Sequence, residues 1–190
     1  MGTKIKSIDQ NFGIMSAIYL FLAVFFMCFA FSNKAYSEPS EISQADFESA
    51  TPLFFSIQVE SNNEKMARKA LEDILPQHEQ ELGRYIPLGL ARIDLNNDGI
   101  KELFVRILEP ELFCDGYDCQ VYGFAITQDG FVKIADLKTK GIDVLQNKTS
   151  GTRDILLLKN NGERQKLIWD NGFYKDFNSI DDQKADENNE

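Results

Sequence analysis

The sequence predicts an α+β fold, mostly an antiparallel β meander with one N-terminal helical region. Three observations lead there. Apolar residues at helical spacing occur once, between Met66 and Leu75. From Ile86 onward, short runs rich in Val, Ile, Leu and Phe are separated by Asn-Gly and Asp-Gly turn signals. Two stretches of this strand-rich half are also alike, so the meander reads as two degenerate β-repeats.

The 190 residues suit one domain plus appendages. Residues 1–37 read as an export signal. Lys4 and Lys6 precede a nearly unbroken apolar run over 13–31, and Ala35-Tyr36-Ser37 places small residues where signal peptidase cuts. Ala30-Phe31-Ser32 is a second candidate cut. An uncleaved anchor is the competing reading, because the apolar run approaches the length of a membrane span. Cleavage puts the protein in the periplasm or outside the cell; the anchor ties it to the inner membrane through residues 13–31. A lipoprotein site at Cys28 is disfavoured by bulky Phe26 and Met27. Residues 38–52 are polar and read as a linker, 53–180 as a single α+β domain, and 181–190 as an acidic disordered tail. The whole chain carries −10; losing residues 1–37 removes three of 20 basic and one of 30 acidic residues, leaving −12. That charge argues against nucleic acid and anionic membrane as partners. It fits cationic proteins or metal ions, and equally plain solubility.

Taken in order, residues 54–59 read as a short strand or the start of packing. Ser61-Asn62-Asn63-Glu64 matches a capping box, in which Ser61 accepts from the Glu64 amide and Glu64 reaches back. Met66, Ala67, Ala70, Leu71, Ile74 and Leu75 then share one helical face, and Pro76 ends or interrupts the helix, with a second piece over 77–84. Strands are predicted over 89–95, 103–108, 120–127, 131–137, 143–146, 154–158, 165–169 and 173–177. Between them stand Asn97-Asp98-Gly99, Asp129-Gly130, Asn160-Asn161-Gly162 and Asn171-Gly172. Residues 99–105 line up with 151–157, and 129–133 with 171–175. The unequal offsets fit an insertion in the first copy, where two cysteines lie.

The segment Asp94-Leu95-Asn96-Asn97-Asp98-Gly99-Ile100-Lys101-Glu102 carries the clearest chemistry. Asp94, Asn96, Asp98 and Glu102 set side-chain oxygens at positions 1, 3, 5 and 9, Gly99 permits the turn, and the Ile100 carbonyl can add a ligand. Oxygen donors at about 2.3–2.6 Å are what Ca²⁺ takes, whereas Mg²⁺ prefers to keep several waters. An EF-hand would need its closing glutamate at position 12, where Val105 stands. A plain hairpin turn is the alternative, since Asp and Asn favour turns without any metal. Counting back from Gly151, the second copy has Gln146, Lys148 and Ser150 at the ligand positions. One copy keeps the carboxylates and the other keeps only a turn.

On Asp94, Asn96, Asp98, Gly99 and Glu102, followed by Leu103-Phe104-Val105, the loop resembles the D-x-D-x-D-G-x-x-D/E calcium loops of FG-GAP and VCBS-type β-repeats. Most of the chain after residue 37 also resembles small exported bacterial proteins of unassigned function. These carry a D-L-N-G-D-G-x-x-E segment, a C-G-x-G-G-C loop and a W-R-D-L strand start. Here the counterparts are Asp94 to Val105, Cys114-Asp115-Gly116-Tyr117-Asp118-Cys119 and Thr152-Arg153-Asp154-Ile155. Asn97 replaces the usual glycine, and the cysteine loop is bulkier and more acidic. The resemblance implies a fold and a calcium loop, and no reaction.

Cys114 and Cys119 form an even pair once Cys28 leaves with the signal, so an exported chain predicts a disulfide. The ring is small, and its loop-entropy contribution is roughly 2 kcal/mol. Zinc lacks further ligands nearby, and the spacing is not the C-x-x-C of a redox motif. Phe113, Asp115, Tyr117 and Asp118 lie in or beside this loop and suit a cationic protein or a cell-wall sugar polymer. Lysozyme is one cationic candidate by analogy. No nucleophile elbow, phosphate loop or histidine cluster appears. The single histidine, His78, sits in a polar stretch, and nothing in the sequence places Glu109 and Glu111 in a cleft. The expected function is therefore a non-enzymatic cell-envelope binding module with a structural calcium loop, and the alternative is an inhibitor of a cationic envelope-directed protein such as a lysozyme.

Overall fold

The computed structural model describes residues 49–177. The segments expected to be an export signal and an acidic tail, and most of the expected linker, lie outside them. The chain enters at Thr51–Pro52 (β1) and Ser56–Ile57 (β2), followed by helices Asn62–Ala70 (α1) and Leu75–Leu82 (α2). Strands Leu88–Ile93 (β3) and Glu102–Ile107 (β4) come next. A one-turn helix, Pro110–Phe113 (α3), leads into Cys114–Asp115 (β5). The remaining strands are Asp118–Thr127 (β6), Gly130–Thr139 (β7), Gly141–Thr149 (β8), Thr152–Leu158 (β9), Arg164–Asp170 (β10) and Phe173–Asp176 (β11).

The two halves repeat one plan. β3-β4-β6-β7 is a four-stranded antiparallel meander, and β8-β9-β10-β11 is another. β2 extends the first sheet at β3, and β1 extends the second at β8. The insertion predicted for the first copy is α3 with β5, between β4 and β6. A single residue, Lys140, separates β7 from β8. There the chain turns from one sheet to the other: the Thr139 hydroxyl (2.8 Å) and the Lys140 amide (2.9 Å) both donate to the Leu158 carbonyl.

Alternation along the strands decides the layers. Leu103, Val105 and Ile107 of β4, with Leu88 and Leu90 of β3, bury against Ala67, Leu71 and Leu75 of the helices. The opposite face of that sheet offers Ala91, Phe104, Val121 and Ala135. It packs on Ile142, Val144, Ile155, Leu157, Leu167 and Tyr174 of the second sheet. The order is therefore helices, first sheet, second sheet.

The helical region begins as predicted and departs in two details. The Glu64 amide donates to the Ser61 hydroxyl (3.0 Å), but the Glu64 carboxylate takes the amide of Glu60 (2.5 Å) rather than that of Ser61. The reason is local: Ser61 donates its own amide to the Gln58 carbonyl, and Glu60 has φ 57°. Pro76 opens α2 within its first turn rather than ending α1, a position where its missing N–H costs nothing. Arg68 joins the pieces, donating to Glu79 (2.8 Å) and the Ile86 carbonyl (2.8 Å). Loss of the cap in Ser61→Ala is expected to lower unfolding free energy by about 1 kcal/mol, read from the denaturant midpoint.

The predicted linker over 38–52 needs correction at its end. Thr51 and Pro52 pair with Val144 and Asp143 of β8, and the Leu53 amide donates to the Ile142 carbonyl (2.8 Å). Proline is compatible with this because β1 is an edge strand. Over 54–59 only Ser56 and Ile57 pair, with Leu90 and Gly89.

Candidate functional site

Loop 94–101 joins β3 to β4 and closes on itself through its own carboxylates. The Asp94 carboxylate accepts from the amides of Asn97 (2.7 Å) and Gly99 (3.0 Å). Asp98 accepts from the Ile100 amide (2.7 Å) and the Asn96 side chain (2.8 Å), and the Asn96 side-chain oxygen accepts from the Asp98 amide (3.0 Å). Asn97 and Gly99 have φ 64° and 86°, the left-handed backbone that Asn and Gly adopt most readily. The second copy replaces this loop with a two-residue turn at Ser150-Gly151, and Gln146 and Lys148 lie inside β8.

Glu102 differs from the other acids because it is buried, at 7% exposure, while Asn96 and Asp98 are exposed and Asp94 is half-buried. Its carboxylate accepts the Leu95 amide at 2.8 Å. Burial raises its pKa above the ordinary value. The Leu95 amide and its own amide oppose this, and the charges of Asp98 and Asp94 add to it. No basic side chain among the described residues forms an ion pair with Asp94, Asp98 or Glu102. Arg92 of β3 donates to the Lys101 carbonyl (2.7 Å).

The oxygen donors suit a hard cation in type and charge. Their arrangement here is that of a hydrogen-bonded turn. Among the described residues no three His, Cys, Asp or Glu side chains gather as a metal cluster. A cation would therefore have to draw Asp94 and Asp98 inward, using carboxylate lone pairs that the amides leave free.

The base of the loop also ties the two sheets together, through backbone contacts that carry no sequence signal. The Arg153 amide of β9 donates to the Leu95 carbonyl (3.0 Å), and the Tyr174 hydroxyl of β11 donates to the Arg153 carbonyl (2.6 Å). Burial first, then the charges of Glu102 and Asp154, push the Tyr174 hydroxyl far above its ordinary pKa, so it remains a donor. Arg153 looks like any surface cation in the sequence; its role comes from its backbone, which has no side-chain signature.

The disulfide between Cys114 and Cys119 is present, and it closes the β5–β6 hairpin. The four residues predicted to meet a partner separate. Tyr117 is 71% exposed, and Asp115 is exposed beside it. Asp118 is half-buried and accepts the Asn160 amide of the β9–β10 turn at 2.9 Å, at the surface. Phe113 packs against the helix-side core and meets the His78 ring edge-on, with centroids 5.0 Å apart. His78 also lies 3.4 Å from Glu81. Glu109 is buried against Arg84 while Glu111 is exposed. Among the described residues no helix is long and apolar enough to cross a membrane. The chain matches no family model, no curated protein and no solved structure.

Proposed function

We propose that this is an exported, non-enzymatic binding module of the cell envelope whose loop 94–102 takes a structural Ca²⁺. Asp94, Asn96, Asp98, Glu102 and the Ile100 carbonyl would hold the ion, and exposed Asp115 and Tyr117 would face a cationic partner. The observation that carries the cation reading is the buried Glu102, which feels the charges of Asp94 and Asp98 and forms no ion pair with a basic side chain among the described residues. Clustered carboxylates of one sign repel, and a divalent cation relieves that repulsion. The ion would brace the β3–β4 connection.

The raised pKa of Glu102 gives a test with opposite signs. Its carboxyl binds a proton more tightly folded than unfolded. Metal-free stability therefore declines as pH rises from the unfolded value of 4.5 through the raised folded one. Calcium needs the ionised form, so its stabilising effect grows over the same window. At 100 times the Kd, calcium is expected to add about 2.7 kcal/mol at pH 7. Glu102→Gln should be more stable than wild type in chelator and gain little from calcium. Denaturant titrations with chelator and with millimolar calcium check both. An unmoved wild-type midpoint sinks the cation reading, as does an equal shift in Asp94→Ala/Asp98→Ala.

A further inference from the structure

The disulfide hairpin does more than fix its own shape, because it reaches across to the other sheet. β5 and β6 belong to the first sheet; the turn between β9 and β10 belongs to the second. Asp118 sits inside the disulfide ring and accepts the Asn160 amide of that turn at 2.9 Å. Gly116, in the same ring, lies directly beneath Asn160. A Cβ at Gly116 would stand 2.8 Å from the Asn160 side-chain nitrogen, and φ 63° favours glycine there as well. The Lys140 ammonium, from the corner between the sheets, lies 5.8 Å from the centre of the Tyr117 ring. The receiving turn is itself held: the Lys159 amide donates to Glu163 and the Gly162 amide to Lys159.

The hairpin is held unevenly. On its β6 side Cys119 pairs with Thr139 in the long β6–β7 ladder. On its β5 side the ladder consists of two residue pairs, Cys114 with Cys119 and Asp115 with Asp118, so the turn between them relies most on the disulfide. Both cysteines are half-buried.

We infer that the Cys114–Cys119 bond is a redox-controlled latch between the two sheets. In the oxidised chain Asp118 is pinned on the Asn160 amide and Tyr117 on Lys140. Reduction frees β5 and the hairpin turn, loosens their contact with the β9–β10 turn and changes how Asp115 and Tyr117 are presented. The chemistry is thiol–disulfide exchange with a dithiol. One thiolate of the dithiol attacks a cystine sulfur and forms a mixed disulfide, releasing the other cysteine as thiolate, which takes up a proton. The second thiol of the dithiol then resolves the mixed disulfide. Two electrons pass to the cystine, leaving two cysteine thiols and the reductant's own disulfide. The latch is independent of the cation loop, and neither reading rests on the other.

Amide hydrogen exchange on the full chain tests it, oxidised and in dithiothreitol. Reduction should speed exchange at Asn160 about tenfold or more, while amides of the β6–β7 ladder keep their protection. Asp118→Ala in the oxidised chain should produce the same local gain, and reduction of that variant should then add little at Asn160. The inference is overturned if Asn160 is equally protected in both redox states. It is also overturned if both sheets lose protection together on reduction, or if reduction acts as strongly in Asp118→Ala as in wild type.

Discussion

Phe104→Ala is expected to lower the unfolding free energy by about 3–5 kcal/mol, as large-to-small changes in a closed core do. Phe104 is fully buried on the face of β4 that meets the second sheet, among Leu95, Ile134, Ala135, Ile155 and Leu157. Its ring lies on the backbone of Gly123 in β6. A Cβ at Gly123 would stand 2.9 Å from the ring and 3.0 Å from the Ala135 Cβ. Glycine there costs strand propensity and yields the space that the ring fills. Truncating the ring leaves a void that surrounding strands, pinned by ladders on both sides, cannot close. For a domain whose whole stability is about 5–15 kcal/mol, that is about a fifth or more of it. Denaturant midpoints at unchanged slope measure the loss. The contact makes a second demand. Gly123→Ala should cost about 1–3 kcal/mol through overpacking in wild type and clearly less in the Phe104→Ala background. Strict additivity of the two changes would show that ring and glycine do not touch.

Gly123 also shows where sequence reading stops. The alternation of 103–108 and 120–127 marks two strands, and all eight predicted strands of the meander are present with ends moved by a few residues. What placed them was local: side-chain period and turn pairs such as Asp129-Gly130 and Asn171-Gly172. The internal likeness of 99–105 and 151–157 also has a structural counterpart, since β4 and β9 hold the same place in their meanders. Neither signal says which face of β4 meets helices and which meets strands, because Leu103, Val105 and Ile107 on one face and Phe104 on the other are all apolar enough to be buried. β1 was hidden by Pro52 and by its length of two residues. α3 was hidden by its single turn, although Pro110 at its start was a usable sign.

The site shows the same division. Asp94, Asn96 and Asp98 fall in one loop with Glu102 at the first position of the strand that follows it, and Cys114 is bonded to Cys119. Burial was not legible. Glu102 goes inside because it begins a strand whose neighbours are core residues, while Asp98 remains outside on the loop. Phe113 and Asp118 read as exposed partners of Tyr117. Phe113 packs on the helix-side core and Asp118 bonds a surface turn, because the helical layer and the β9–β10 turn arrive from distant parts of the chain.

Lys166→Met is expected to cost about 3 kcal/mol, the lower end of what removing one partner of a buried ion pair costs. Asp154 stands at the position of Glu102 in the second copy, and it too is buried, at 3% exposure. Its environment differs. Ile155 and Leu157 face the core between the sheets, so Asp154 and Leu156 point to the opposite face of β9. Leu156 is paired with Lys166 of β10, which brings the ammonium to 3.4 Å from one Asp154 oxygen. The other oxygen is buried with no hydrogen-bond partner among the described residues. The carboxylate thus depends on one lysine, where Glu102 depends on a backbone amide and, on the reading proposed above, on a cation. Removing the ammonium leaves a charge in a place too dry to hold it. Asp154→Leu with Lys166→Met should return stability to within about 1 kcal/mol of wild type or above it, since leucine and methionine can pack beside Leu156 and Ile168. Denaturant unfolding of the two single variants and the double variant closes the cycle. If Lys166→Met alone costs less than about 1 kcal/mol, Asp154 is solvated or satisfied otherwise and the pair is no more than a surface contact.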